Sequence, residues 1–290
     1  MLPRWPTGLL RFLPLLLLVA TACNGTDSVR PDPGGTPRAP TCPGGPGGRG
    51  PKMVAITLPG ITPFCIDTTE VTQTQYVEFL NAKVDPAKQS RPICAQQNTT
   101  FEPKVRPDDE MFWKNCPKGI YDPATRGDAP ITCVTHCDAV AYCEWAGKRL
   151  CGAIGGGPRP SEEGHLALET SEWYQACSQG GMRKYPYGDE YVAGKCGEPG
   201  GEPSGTAPVA ISDANACRAA EPPFDQIVNM VGNAAEWEDY CRQDIICTNR
   251  GGGSNTGLGV GEKGFDCTTA HGSSMQGHID VGIRCCADYK

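Results

Sequence analysis

Two short apolar bursts open the foldable part of the chain, Met53-Val54-Ala55-Ile56 and Phe64-Cys65-Ile66-Asp67, with Pro59-Gly60 between them. Runs of that length bounded by turn residues predict two short strands. The period then changes. Thr72 is followed three residues on by Gln75, a capping-box spacing, and Val71 with Tyr76 occupies the hydrophobic-staple positions. Tyr76, Phe79 and Leu80 fall at i, i+3 and i+4, which predicts a helix over 73–81 with its aromatics in the core. Residues 82–130, rich in Pro, Asp and Lys, read as a long loop stapled by disulfides through Cys94 and Cys116. Thr135 opens a second helix with Asp138 at its third position. Ala139, Tyr142, Cys143 and Ala146 form its stripe, and Gly147 closes it in the left-handed conformation. His136 has no second histidine near it in sequence and reads as a surface or capping residue.

Residues 151–165 are Gly- and Pro-rich. Gly155-Gly156-Gly157 lacks both the following Lys-Ser/Thr and the preceding strand of a phosphate cradle, so it reads as a flexible insertion. A third, short helix is predicted over 170–177, carrying Trp173. Beyond it the pattern is mostly loop with a few short strands, and so little regular ladder asks disulfides and bound ions for rigidity.

Before residue 53 the pattern is of another kind. Arg4 and Arg11 precede an apolar run over 13–22 that contains Pro14 and ends in Ala20-Thr21-Ala22. This is an export signal over 1–22, too short for a spanning helix, which needs about 20 apolar residues. Cys23 directly after it resembles a bacterial lipobox cysteine, which would be lipidated and tether the chain to a bilayer; the alternative is ordinary cleavage at the A-x-A site. Residues 23–52 are Pro, Gly, Thr and Arg with almost no large apolar side chain, the composition of a linker. The remaining 53–290 stretch can form one sizeable domain or two small ones.

Composition narrows the chemistry. Seventeen cysteines accompany only four histidines. Export makes disulfides the natural state of those thiols, and setting Cys23 aside leaves an even number. No C-x2-C pair is present, which argues against zinc. A net charge of −7 without a basic cluster argues against nucleic acid.

Several blocks in order resemble the formylglycine-generating enzyme (sulfatase-modifying factor) family. They are Phe64-Cys65-Ile66-Asp67-Thr68-Thr69-Glu70-Val71-Thr72; Asp138 through Leu150; Glu172-Trp173-Tyr174; Tyr185-Pro186-Tyr187-Gly188-Asp189; and Gly205-Thr206-Ala207-Pro208-Val209. The series closes with Asn229 through Trp237, Arg250-Gly251-Gly252-Gly253-Ser254 and Gly282-Ile283-Arg284-Cys285. The resemblance implies a disulfide-rich, loop-rich α+β fold, the formylglycine-generating-enzyme-like variant of the C-type lectin fold. It implies a calcium ion held by the side chains of Asn229 and Glu236 and the carbonyls of Gly232 and Ala234, hard oxygen ligands of the kind calcium takes. The family's second calcium site aligns near Cys196, Gly201 and Glu202 and is lost. It further implies bridges Cys143–Cys285 and Cys177–Cys267, with Cys286 the alternative partner in the first. Sequence proximity alone adds Cys196–Cys217 and Cys94–Cys116 as weaker pairings.

The family's copper-binding cysteines fall on Gly257 and near Glu262, and 255–262 contain no cysteine. Copper(I) selects soft thiolates, so this chain is not expected to hold it there. Ser254, Gly257, Trp237 and Arg284 would line a vestigial pocket. These features favour a membrane-tethered binding or structural domain without catalysis, with a protein or glycan ligand. One alternative is a formylglycine-forming oxidase acting on a protein cysteine, with Cys267 or Cys286 moved into the site. The other is a nonheme-iron oxygenase, for which His271 and His278 lack a carboxylate-rich helix.

Overall fold

The computed structural model describes residues 41–43, 48–104, 116, 119–160, 167–196, 210–211, 217–243, 245–254 and 264–290. The export segment with Arg4, Arg11 and Cys23 lies outside these, as do positions Gly201, Glu202, Gly257 and Glu262.

The first sheet has the order β1-β2-β8-β3. Strands β1 (Met53–Ile56) and β2 (Phe64–Asp67) pair antiparallel as the sequence predicts, with Met53 opposite Asp67. β2 then pairs with β8 (Cys285–Asp288), and β8 with β3 (Arg149–Leu150), so the two ends of the domain share one sheet. Backbone hydrogen bonds between Thr41 and Lys290 extend that closure. The C-terminal part of the expected linker belongs to this body: Cys42 is bridged to Cys65, Arg49 donates to the Trp145 carbonyl at 2.6 Å, and Pro51 is buried and accepts from Lys148 at 2.7 Å.

Helices α1 (Gln73–Asn81) and α3 (His136–Trp145) cover this sheet's neighbourhood, and both start at a complete capping box, Thr72/Gln75 and Thr135/Asp138. α3 ends as its glycine predicts. Gly147 has φ +74°, its N–H donates to Glu144 O, and the next N–H, of Lys148, donates to Cys143 O, a Schellman arrangement. Eight of its ten residues are buried, so α3 is a core element rather than a surface helix. Tyr76, Phe79, Tyr142, Trp237 and Ile283 meet in the core cluster it shares with α1. Replacing Thr135 by Ala removes one half of the capping box and is expected to cost about 1 kcal/mol, read from the midpoint shift in urea.

The second sheet has the order β6-β5-β4-β7. Its long member, β4 (Ala235–Arg242), pairs antiparallel with β5 (Ile246–Arg250) and parallel with β7 (Val281–Gly282), while β6 (Ala270–Ser274) pairs with β5. The sequence reading expected only short strands here. β4 carries Glu236, Glu238 and Asp239 yet is buried from Ala235 to Tyr240, so no alternation of polar and apolar positions marks it.

Residues 82–130 also depart from expectation. A 3-10 turn at Pro86–Lys88 and helix α2 (Pro92–Gln97) interrupt the expected loop. Proline at the first position pre-sets α2, and only Cys94 is buried, so a disulfide rather than an apolar stripe holds the helix. The predicted third helix is α4 (Glu172–Cys177); Thr170 belongs to a 3-10 turn before it, and Ser171 is the N-cap.

Eight disulfides use every cysteine from Cys42 onward. Cys143 joins Cys285, Cys177 joins Cys267 and Cys196 joins Cys217. The Cys94–Cys116 pairing is wrong: Cys94 joins Cys137 at the start of α3, and Cys116 joins Cys133. Cys286 bonds Cys151, leaving Cys285 for Cys143.

Candidate functional site

The segment 229–236 leads into β4 through a chain of tertiary backbone bonds. Asn229 N donates to Cys217 O at 2.9 Å, Gly232 N to Gly251 O at 3.0 Å, and Ala235 N to Asp280 O at 2.8 Å. Asn229 and Asn233 both have positive φ, 58° and 55°, which asparagine tolerates better than most residues. Gly232 sits at φ +75° with the Cys196 carbonyl where a Cβ would lie, so only glycine fits that turn.

Around this turn lies a buried ionic cluster. The Glu236 carboxylate accepts from Arg284 Nε at 2.8 and 2.9 Å, is 2.7 Å from Arg284 Nη2, and accepts from Trp173 Nε1 at 2.6 Å. Arg284 also donates to the carbonyls of Asp67 and Val228, each at 2.8 Å, which ties β2, the 229 turn and β4 together. A second carboxylate, Glu70, accepts from Asn229 Nδ2 at 3.1 Å and Asn233 Nδ2 at 2.9 Å. Burial pushes Glu70 up to about 7; Arg284 opposes that shift and Glu236 adds to it. Burial likewise raises Glu236, against the pull of Arg284 and Trp173.

Two buried carboxylates thus face one guanidinium, and Asn229 Oδ1 is buried without a hydrogen-bond partner. An orphaned carbonyl-type oxygen beside surplus negative charge fits a hard cation. The other donors named from sequence are buried too: Gly232 and Ala234 in the backbone turn, and Glu236 on β4 facing Arg284 rather than solvent. Glu70 was read from sequence only as part of a helix start. Its partners lie more than 150 residues away in sequence, so nothing local marks it as part of the cluster.

Of the residues expected to line a vestigial pocket, Ser254, Trp237 and Arg284 are described and Gly257 lies outside the described residues. Trp237 and Arg284 are fully buried, and Trp237 Nε1 donates to Val134 O at 3.0 Å. Both serve the core. Ser254 is also buried and donates its backbone N–H to Asn233 O at 2.8 Å. Cys267 and Cys286, the only candidates for a relocated thiol, are bridged to Cys177 and Cys151. His271 is exposed on β6, while His278 is half-buried with its ring 6.3 Å from that of Trp237. His136, expected at the surface, is fully buried and hydrogen-bonded to the Glu238 carbonyl at 3.1 Å.

Residues 41–289 match the family of sulfatase-modifying factor enzyme 1-like domains, and the chain belongs to that family. It is 25% identical over 274 residues to the inactive C-alpha-formylglycine-generating enzyme 2 of Mus musculus, covering 84% of this chain and 80% of that protein. It is 24% identical over 223 residues to the formylglycine-generating enzyme of Mycobacterium tuberculosis, covering 64% of this chain and 67% of that protein. Among solved structures, CarF matches at a TM-score of 0.43 and 16% identity, over 82% of this chain and 96% of that one. The fold is therefore the loop-rich α+β fold of this family, and its relatives include proteins named as enzymes and one named as inactive. Eight disulfides point to an oxidising, extracytoplasmic environment. Among the described residues no helix is long and apolar enough to cross a membrane.

Proposed function

We propose that this chain is a non-catalytic member of its family: an exported domain, tethered through a lipidated Cys23, that serves as a binding or structural module at the cell envelope. One observation carries this reading. All sixteen cysteines after Cys23 are consumed by disulfides, and the stretch 255–262 contains none. A copper(I) oxidase centre needs free thiolates, and the oxidised domain has none to give. The match to a relative named as inactive agrees with this.

Thiol titration of the native, oxidised domain tests the reading directly. Residues 41–290 should release no thiol under native conditions and should not retain stoichiometric copper(I). Two titratable thiols in the unreduced protein, with one copper bound between them, would overturn it.

In this reading a calcium ion stiffens the 229–236 turn, held by Asn229 Oδ1, the carbonyls of Gly232 and Ala234, and Glu236. Calcium would supply structural rigidity and no redox chemistry. Support comes from the orphaned Asn229 oxygen and the surplus negative charge of Glu70 and Glu236 over Arg284. Calcium at 100 times its dissociation constant is expected to stabilise by about 2.7 kcal/mol. Glu236→Gln should remove most of the accompanying rise in Tm, and an unchanged calcium response in that variant would exclude this ligand set.

A further inference from the structure

Glu70 is the carboxylate of the buried cluster that the ligand set leaves out. It stands between β2 and α1, and the residue after it is clamped on both sides: Val71 N donates to Ile283 O at 2.9 Å, and Val71 O accepts from Ile131 N at 2.8 Å. From this fixed backbone the fully buried Glu70 side chain reaches the turn that leads into β4. There it accepts from two asparagines, from Asn229 Nδ2 on Oε2 at 3.1 Å and from Asn233 Nδ2 on Oε1 at 2.9 Å.

The two ends of an asparagine amide are nearly the same size, so sterics alone do not choose which way it points. A carboxylate can only accept, and Glu70 therefore makes that choice. The NH2 end of Asn229 must face it, and the oxygen must face away. That oxygen, Oδ1, is the buried atom without a hydrogen-bond partner. The Asn229 backbone leaves little other freedom, because its N–H is bound to Cys217 O at 2.9 Å and its φ of 58° is left-handed. A flipped amide would aim its N–H donors where a cation needs oxygen and set a carbonyl lone pair against Glu70, an unfavourable contact in a buried place.

Asn233 carries the same constraint to the neighbouring ligand. The Gly232 carbonyl belongs to the peptide plane that ends at Asn233 N. Asn233 is held at φ 55° by Glu70 on its side chain and by the Ser254 N–H on its carbonyl at 2.8 Å. From the other side Gly232 N donates to Gly251 O at 3.0 Å. The plane between them is thus fixed at both ends.

We propose that Glu70 is the positioning residue of the 229–236 cation site. It selects the amide orientation that offers Asn229 Oδ1 to the ion, and it pins Asn233 so that the Gly232 carbonyl stays in place, without ligating the ion itself. The inference rests on the calcium reading given above. Outer-shell partners that orient a ligand in this way typically change metal affinity by about 10–100-fold.

Calcium titration of the full, disulfide-intact domain by calorimetry tests this, at a pH of about 8 so that Glu70, pushed up to about 7, is ionised. Near-ultraviolet circular dichroism in calcium-free buffer checks that each variant keeps its native packing. Glu70→Gln retains the size of the side chain but offers one acceptor for two amides, and affinity should fall by at least about tenfold. Glu70→Asp keeps the charge on a side chain one methylene shorter and should also weaken binding. Combining Glu70→Gln with Asn229→Asp exchanges the two groups. The new amide then donates, the new carboxylate presents an oxygen in either orientation, and most of the lost affinity should return. Unchanged affinity in Glu70→Gln would overturn the proposal, and unchanged affinity in Glu70→Asp would reduce Glu70 to a bare charge and overturn it as well. A loss that the exchanged pair does not repair would make Glu70 a ligand rather than a positioning residue. Failure of the unaltered domain to bind calcium is a separate outcome, which would sink the calcium reading and this inference with it.

Discussion

Removing Cys143–Cys285 or Cys151–Cys286 alone, by paired alanine substitution, is expected to lower stability by about 2.7 kcal/mol, and removing both by about 7 kcal/mol. The superadditivity follows from adjacency. Cys285 and Cys286 are consecutive on β8, and Cys143 and Cys151 flank the short connection from α3 through β3. While either bridge survives, the other closes a loop of only about ten residues in the unfolded chain, and chain entropy then gives about 2.7 kcal/mol. When both are cut, the last one removed had closed a loop of roughly fifty residues, allowing for the short-cut through Cys177–Cys267, and had contributed about 4 kcal/mol. Denaturant titration of the two paired variants and their combination measures this. A combined loss equal to the sum of the two would show that the bridges act independently.

Arg284→Met is expected to cost about 3–5 kcal/mol, because the change keeps most of the side-chain volume while stranding a buried carboxylate. Arg284 is fully buried and is the cation on Glu236; it also satisfies the carbonyls of Asp67 and Val228. In calcium-free buffer Glu236 then keeps only the Trp173 donor and stands near the second buried carboxylate, Glu70. At about 2–4 °C per kcal/mol for a domain of this size, Tm should fall by roughly 6–20 °C. Adding Glu236→Gln to Arg284→Met should recover at least half of the loss, since the unpaired charge is then gone. No recovery in the double variant would mean that the two carbonyl contacts, not the ion pair, carry the effect.

What could be read from sequence follows the range of the interactions. α1 and α3 were legible because capping boxes and the closing glycine are local signals, complete within a few residues. β4 was not, because a strand buried on both faces has no alternation, and its acidic residues are neutralised by arginines distant in sequence: Glu236 by Arg284, Glu238 by Arg159, Asp239 by Arg91. The same limit explains the cysteines. Nearness in sequence suggested Cys94–Cys116, whereas α2 packs its buried Cys94 against the start of α3 and so meets Cys137. The resemblance supplied Cys143–Cys285 and Cys177–Cys267, pairs whose separations of 142 and 90 residues no local pattern could yield. At the candidate site, Asn229, Gly232, Ala234 and Glu236 came from the preserved register of one short block, while Glu70 was missed, since it is defined by what the fold brings to it, Asn229 and Asn233.

The most direct test of a domain without oxidase chemistry is turnover. The oxidised domain, supplied with copper, dioxygen, a thiol reductant too weak to open its disulfides and a cysteine-containing sulfatase-type peptide, should leave the peptide cysteine unconverted. Mass spectrometry would detect the loss of sulfur that accompanies formylglycine formation. With no cysteine in 255–262 and every cysteine from Cys42 onward bridged, no conversion above the protein-free control is expected. Copper-dependent conversion by the domain would contradict that reading and place catalysis on residues outside the family's cysteine pair.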